Sequence, residues 1–146
     1  MASTLTLALV YKRRLHIVSI GDCRAYHYRS GRPLRCLTSD HTLAANLVQA
    51  NLLQPDEVYG SAKNKQLYRF LGQSSQVQLD YFVQDVEPGD LLLLCTNGLW
   101  HMLRDARLQE LLAREGDPQK LARMLVDEAN SAGGEGNISV ILIRIQ

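Results

Sequence analysis

Three short stretches of the chain set polar side chains beside glycine, where chemistry could be placed. The first is Thr96-Asn97-Gly98, which ends the continuous apolar run Leu91 to Cys95. That run is short and is entered through the turn Glu87-Pro88-Gly89-Asp90, so it reads as a strand buried on both faces. A side chain at position 97 is then held by rigid structure at the edge of a core. What stands there is an amide, which can hydrogen-bond and coordinate weakly but carries no charge. The second stretch, Gly21-Asp22, interrupts a strand pattern and marks a bulge or a close backbone approach. The third, Gly133-Gly134-Glu135-Gly136-Asn137, breaks the chain before a closing strand. The four histidines, His16, His27, His41 and His101, are scattered without partner spacing and read as structural. Cys23, Cys36 and Cys95 are odd in number and lack metal-ligand spacing, so they read as buried free thiols in a reducing compartment. No Ser-His-Asp or Cys-His constellation is present.

The elements that position these stretches follow from periodicity. Ser3 to Tyr11, Leu15 to Ile20, Cys23 to Arg29 and Leu34 to Thr38 alternate like strands and predict an antiparallel meander over the first forty residues. Lys12-Arg13-Arg14 falls between two of them and reads as a solvated hairpin turn. The period then becomes helical, with Leu43, Leu47 and Val48 on one side of a helix starting near Asp40 or Thr42. Gln54-Pro55-Asp56-Glu57 could open a second short helix. Tyr59 to Ser75 has little periodicity and predicts an ordered loop or flap. Val77 to Val86 alternates as a half-buried strand, with Val77, Leu79, Tyr81 and Val83 pointing one way. Asp105 and Asp117-Pro118 are candidate N-termini of two helices, with apolar stripes at Leu108, Leu111, Leu112 and at Leu121, Met124, Leu125, Ala129. Ile138 to Ile145 closes as a strand. About seven strands without βαβ alternation predict an α+β domain over residues 1–146: two packed antiparallel sheets flanked by helices.

Composition narrows the function. The 146 residues are 46% apolar and 21% charged, ordinary for a globular domain. A net charge of +1 gives no electrostatic argument for nucleic acid or an anionic membrane. No apolar run approaches a membrane span, and the N-terminus lacks the features of a signal peptide. A cytoplasmic protein is expected.

Four segments in order resemble the C-terminal part of the metal-dependent protein phosphatases of the 2C type. Ile20-Gly21-Asp22-Cys23-Arg24-Ala25-Tyr26 resembles their Gly-Asp-Ser-Arg strand motif, and Thr38-Ser39-Asp40-His41-Thr42-Leu43 their Asp-His helix start. Pro88-Gly89-Asp90 through Thr96-Asn97-Gly98-Leu99-Trp100 resembles the Gly-Asp…Ser-Asp-Gly-Leu motif. Gly133-Gly134-Glu135-Gly136-Asn137-Ile138-Ser139-Val140 resembles Gly-Gly-x-Asp-Asn-Ile-Thr-Val. The resemblance implies a sandwich of two antiparallel sheets flanked by helices. It also implies hydrolysis of phosphoserine and phosphothreonine with two Mg²⁺ or Mn²⁺ ions, which need oxygen ligands, mostly carboxylates, to hold them and activate water.

The departures point the other way. Asn97 stands where the family has a metal-binding Asp, and Gly136 where it has the second C-terminal Asp. Asp22 matches a position used for an accessory third ion. The family's N-terminal portion, with its phosphate-binding Arg and an acidic Asp-Gly turn, has no counterpart. The expectation is a phosphatase-like domain, inactive as this chain alone, with no cofactor and no metal at Asn97 or Gly136. It would serve as a regulatory or interaction module in phospho-signalling, with a kinase, a phosphoprotein or the missing N-terminal portion as partner. The alternative is an active Mg²⁺/Mn²⁺-dependent serine/threonine phosphatase, or a fragment of one, whose missing residues come from another chain or segment. Strands missing from the family's pattern would leave apolar faces bare, so the chain is expected to form homo-oligomers through that surface or to repack it.

Overall fold

The computed structural model describes residues 1–59 and 61–146. Strands β1 (Leu5–Tyr11) and β2 (Arg14–Ile20) form a hairpin closed at Lys12-Arg13, as the basic run predicted. The chain then changes sheets. β3 (Arg24–Tyr28) pairs with the two-residue β4 (Arg35–Cys36), a much shorter strand than Leu34 to Thr38 promised. The expected single meander is therefore two hairpins in two sheets. The switch falls at Gly21, whose φ of +99° suits only glycine, and where an added Cβ would stand 2.3 Å from the Thr4 side chain.

With β5 (Asp80–Asp85), β6 (Leu91–Cys95) and β7 (Val140–Arg144) the sheets are complete. One has the order β1-β2-β5, the other β4-β3-β6-β7, and every pairing is antiparallel. They pack face to face on Leu15, Ile17, Ala25, Val86 and Leu92. The other face of the four-stranded sheet, through Tyr26, Leu91, Leu93 and Cys95, is covered by α2 (Asn97–Trp100), α3 (Asp105–Leu112) and α4 (Pro118–Ser131). β6 is thus an inner strand buried on both faces, which is why its apolar run does not alternate.

The helices form largely where their caps and stripes predicted. Asp117 accepts a hydrogen bond from the Lys120 N–H, Pro118 occupies the first turn, and Leu121, Leu125 and Ala129 are buried. Asp105 does not cap α3. Arg104 holds that position, and the Asp105 carboxylate accepts instead from Tyr26 Oη at 3.0 Å. In α1 (Leu43–Gln49), Thr42 caps the first turn, but Ala44 is the buried residue and Leu43 is exposed. The segment from Pro55 is a 3₁₀ helix, and a second covers Ala62–Lys65 within the flap.

The half-buried strand expected over Val77 to Val86 is shorter, Asp80–Asp85. Val77, Leu79, Tyr81 and Val83 face outward, and Phe82 packs between the sheets. Alternation separates the two sides of a strand but does not say which side gets covered. Here the outer face of the three-stranded sheet, including Leu5, Leu7 and Leu9 of β1, carries no further layer among the described residues. None of the described helices is long and apolar enough to cross a membrane.

Candidate functional site

The loops that carry the three polar stretches meet at one end of the sandwich. Ala2 to Thr4, Asp22-Cys23, Leu67, Thr96-Asn97 and Asn137 line a cleft of about 380 Å³. Asp22 and Asn97 face each other across it, with Asn97 Nδ2 donating to Asp22 Oδ2 at 2.8 Å. Gly136 lies in the adjoining loop at φ +77°, where an added Cβ would meet nothing within 4 Å.

Backbone contacts hold the loops in place. Thr96 Oγ1 donates to the Asn137 carbonyl at 2.9 Å and accepts from the Ser139 N–H at 2.9 Å. Gly98 comes so close to this loop that an added Cβ would sit 2.5 Å from the Asn137 oxygen. A glycine after position 97 is therefore a packing requirement as well as a turn signal.

The Gly21-Asp22 turn is clamped from three sides. Trp100 Nε1 donates to the Asp22 carbonyl at 2.9 Å, and Asn97 holds the Asp22 carboxylate. The third clamp is His41, whose Nδ1 accepts from the Gly21 N–H at 3.0 Å. That bond leaves the imidazole proton on Nε2, which faces Asp80 Oδ2 at 2.9 Å, while Arg69 donates to Asp80 Oδ1 at 2.8 Å. Burial pushes the Asp80 carboxyl up, but the hydrogen bonds from His41 and Arg69 outweigh it and hold the group below its usual range. The bridges Ser3–Leu71 and Thr42–Leu67 also fasten the flap beside the cleft.

Beneath the turn, the Arg24 guanidinium lies 3.6 Å from the centre of the Trp100 ring. It grips Asp40 through Nε at 3.0 Å and Nη2 at 2.7 Å. Burial lowers the guanidinium pKa, and the bond to Asp40 more than reverses it, so Arg24 is charged at every ordinary pH. His101 accepts from Asn64 Nδ2 at 2.9 Å, and burial keeps its pKa below the usual value. Of the three thiols expected to be buried only Cys95 is, with Cys23 partly covered and Cys36 exposed; burial pushes the Cys95 thiol far above its ordinary value, so it is no nucleophile.

The three candidate positions therefore split. Asp22 and Asn97 are in direct contact, and Gly136 contributes backbone next to them. Among the described residues no three His, Cys, Asp or Glu side chains converge as a metal cluster would. The sequence reading left Arg24, Asp40, His41 and Trp100 without roles. Asp40-His41 was visible as a pair at a helix start, but its partners Arg24 and Gly21 lie 16 and 20 residues away with no shared period.

No family model matches the chain. It is 32% identical over 143 residues to the serine/threonine phosphatase stp of Listeria welshimeri, covering 98% of this chain and 56% of that protein. The crystal structure of the serine/threonine phosphatase Stp1 from Staphylococcus aureus superimposes with a TM-score of 0.93 at 28% identity, over 98% of this chain and 56% of that one. The catalytic domain of the serine/threonine phosphatase PstP, solved with two manganese ions, superimposes with a TM-score of 0.85 at 30% identity, over 97% and 57%. The chain thus spans little more than half the length of the relatives it matches.

Proposed function

From a chain that is a homologue of the 2C-type protein serine/threonine phosphatases and has the fold of part of their domain, we propose a phosphatase-like module that binds or regulates without hydrolysing. The carrying observation is the hydrogen bond from Asn97 to Asp22. A pair of hard divalent ions needs several anionic oxygens at one place. This cleft offers one carboxylate, Asp22, and the neutral amides of Asn97 and Asn137, with Gly136 in the adjoining loop. The carboxylate, only 4% exposed, already has a donor in the Asn97 amide. Mg²⁺ or Mn²⁺ would have to displace that donor and would find no second charge at 97 or 136. The donor set does not fit a two-metal centre.

The cleft itself persists, fastened by Trp100, His41 and Thr96, so the module keeps a rigid recognition surface next to its flap. Its partner would be a phosphoprotein or another component of phospho-signalling. The free Cys23, Cys36 and Cys95 suit a reducing, cytoplasmic setting. The test is calorimetric titration of Mn²⁺ into the purified chain alongside hydrolysis of a phosphothreonine peptide. Neither heat of stoichiometric binding nor turnover is expected. A one-to-one Mn²⁺ site of micromolar affinity with turnover of the peptide overturns the reading.

The share of the relatives left uncovered favours a second reading. The chain matches 56% of the Listeria protein, which leaves 44% of that protein without a counterpart in this sequence. Further ligands could come from another polypeptide or from residues outside this sequence, completing an active phosphatase with an acidic Asp-Gly turn beside Asn97. Turnover that appears only when such a segment is co-expressed with the chain decides for this second reading.

A further inference from the structure

We propose that the cavity between α1, the 3₁₀ turn at Pro55 and the start of α3 binds one alkylammonium or alkylguanidinium group, the chemistry of a lysine or arginine side chain. The cavity holds about 290 Å³ and shares no lining residue with the Asp22 cleft. Its walls come from segments packed on one another within residues 24–105, so contacts of the chain with itself define it.

Charge selects the ligand. The charged residues lining the cavity are Arg24, Asp40 and Asp105. Arg24 and Asp40 neutralise each other in an ion pair at 2.7 Å, which leaves the Asp105 carboxylate over. Among the described residues the one cation within 4 Å of it is Arg24, at 3.9 Å and already engaged by Asp40. The hydroxyls of Tyr26 and Tyr59 both donate to Asp105 Oδ1, at 3.0 and 3.4 Å, and among the described residues no side-chain donor reaches Oδ2. The carboxylate is thus fixed in orientation yet 50% exposed. Arg104 does not fill the place, since it is exposed and lies over the Tyr59 ring at 5.2 Å. Asp56 and Glu57, exposed beside Pro55, add negative charge next to the cavity. An anion would meet two carboxylates against one guanidinium and is disfavoured.

The rest of the lining suits an aliphatic stem. Ala45 and Val48 of α1 and Pro55 and Val58 of the 3₁₀ turn make an apolar wall. The methylenes of a long basic side chain cover such a surface while its head stays near water. The half-buried Tyr59 ring adds an aromatic surface beside the carboxylate, a second attraction for a cation. The volume falls below the roughly 300–1,000 Å³ of pockets for drug-sized ligands, which fits one side chain better than a nucleotide. The site also carries a reporter. Trp100 is the one tryptophan of the chain, with the Arg24 guanidinium on its ring and Tyr59 edge-on at 6.2 Å. An occupant resting on Arg24 and Tyr59 therefore shifts the indole N–H resonance. The proposal stands apart from the reading of the cleft.

Heteronuclear NMR of the chain, titrated at constant ionic strength, tests it. One arm uses n-butylammonium, the other a short peptide with a single lysine between alanines. Each should shift the indole signal saturably, with an affinity on the order of millimolar for so few contacting atoms. The tighter of the two identifies the source, a free amine or a protein side chain. Asp105→Asn keeps the Oδ1 acceptor for both tyrosines and removes the charge, so binding should weaken about three- to fivefold, the worth of a partly exposed ion pair. Val48→Phe fills the space along the apolar wall and should abolish binding. Asp127→Asn, exposed on α4, should leave it unchanged. Binding of 1-butanol, or of the peptide with norleucine in place of lysine, as tight as that of its cationic counterpart overturns the proposal. So does a shift that never saturates in either arm, or undiminished binding by Asp105→Asn.

Discussion

At the scale of single residues, Asn97→Asp exchanges one NH₂ for an oxygen and turns a hydrogen bond into a repulsion. Two carboxylates 2.8 Å apart, one of them buried, cannot both ionise without a cation between them. The pair's proton affinity then rises, so the variant retains stability at low pH and loses it as pH rises through that raised value. Its stability at pH 7 should fall by about 1–3 kcal/mol relative to the wild type and recover partly at pH 5. Urea denaturation at the two pH values measures this, and adding millimolar Mn²⁺ should raise the midpoint of the variant alone. Asp90 behaves in the opposite sense. Burial raises its pKa, but hydrogen bonds from Arg29, the Glu87 N–H and His27 prevail and bring it to about 2. A depressed carboxyl stabilises above its unfolded value and loses that contribution as pH falls toward 2. The wild type should lose about 2 kcal/mol between about pH 4 and pH 2 through this group. Asp90→Asn should be weaker at neutral pH and lack that step in its acid denaturation profile.

At the scale of elements, two connections decide whether the cleft exists. Gly98→Ala drives a methyl into the Asn137 carbonyl and must part α2 from the loop ahead of β7. We expect a loss of about 1–3 kcal/mol, with faster amide exchange confined to residues 96–98 and 136–140. Asp40→Asn strips the buried Arg24 of its nearest counter-charge, leaving only Asp105 at 3.9 Å, while keeping the shape intact. Breaking one partner of such a pair costs about 3–5 kcal/mol, and equilibrium unfolding reads it directly. The sequence showed most of these elements, because caps, turns and strands are local and are written in neighbouring residues. It showed Asp22, Asn97 and Gly136 as one site only through the order of four motifs. Asp105 was misread as a cap because its tyrosine partners lie 79 and 46 residues away. The Arg24–Asp40–Trp100 stack was invisible for the same reason, and periodicity carries no information about such contacts.

At the scale of the whole molecule, the sheets, their packing and the helical layer on one side were legible, since inner strands run apolar and helices carry stripes. Which sheet face stays bare was not, since an alternating strand reads alike whether its apolar side meets a layer or water. Val77, Leu79, Tyr81 and Val83 were legible as one side of a strand, but not as the side that stays exposed. The order in which the strands pair has a further consequence, for how the chain reaches this state. β3 finds its main partner in β6, and His27 meets Asp90, 63 positions further along the chain. The β1–β2 hairpin, by contrast, can close as soon as Ile20 is made. During synthesis the β1–β2 hairpin can therefore form long before the four-stranded sheet can assemble beneath it. Folding dominated by such distant pairings is slow, in the millisecond-to-second range, and aggregation-prone while it lasts. The chain is most vulnerable on the ribosome, while its hairpin is complete and its second sheet is not.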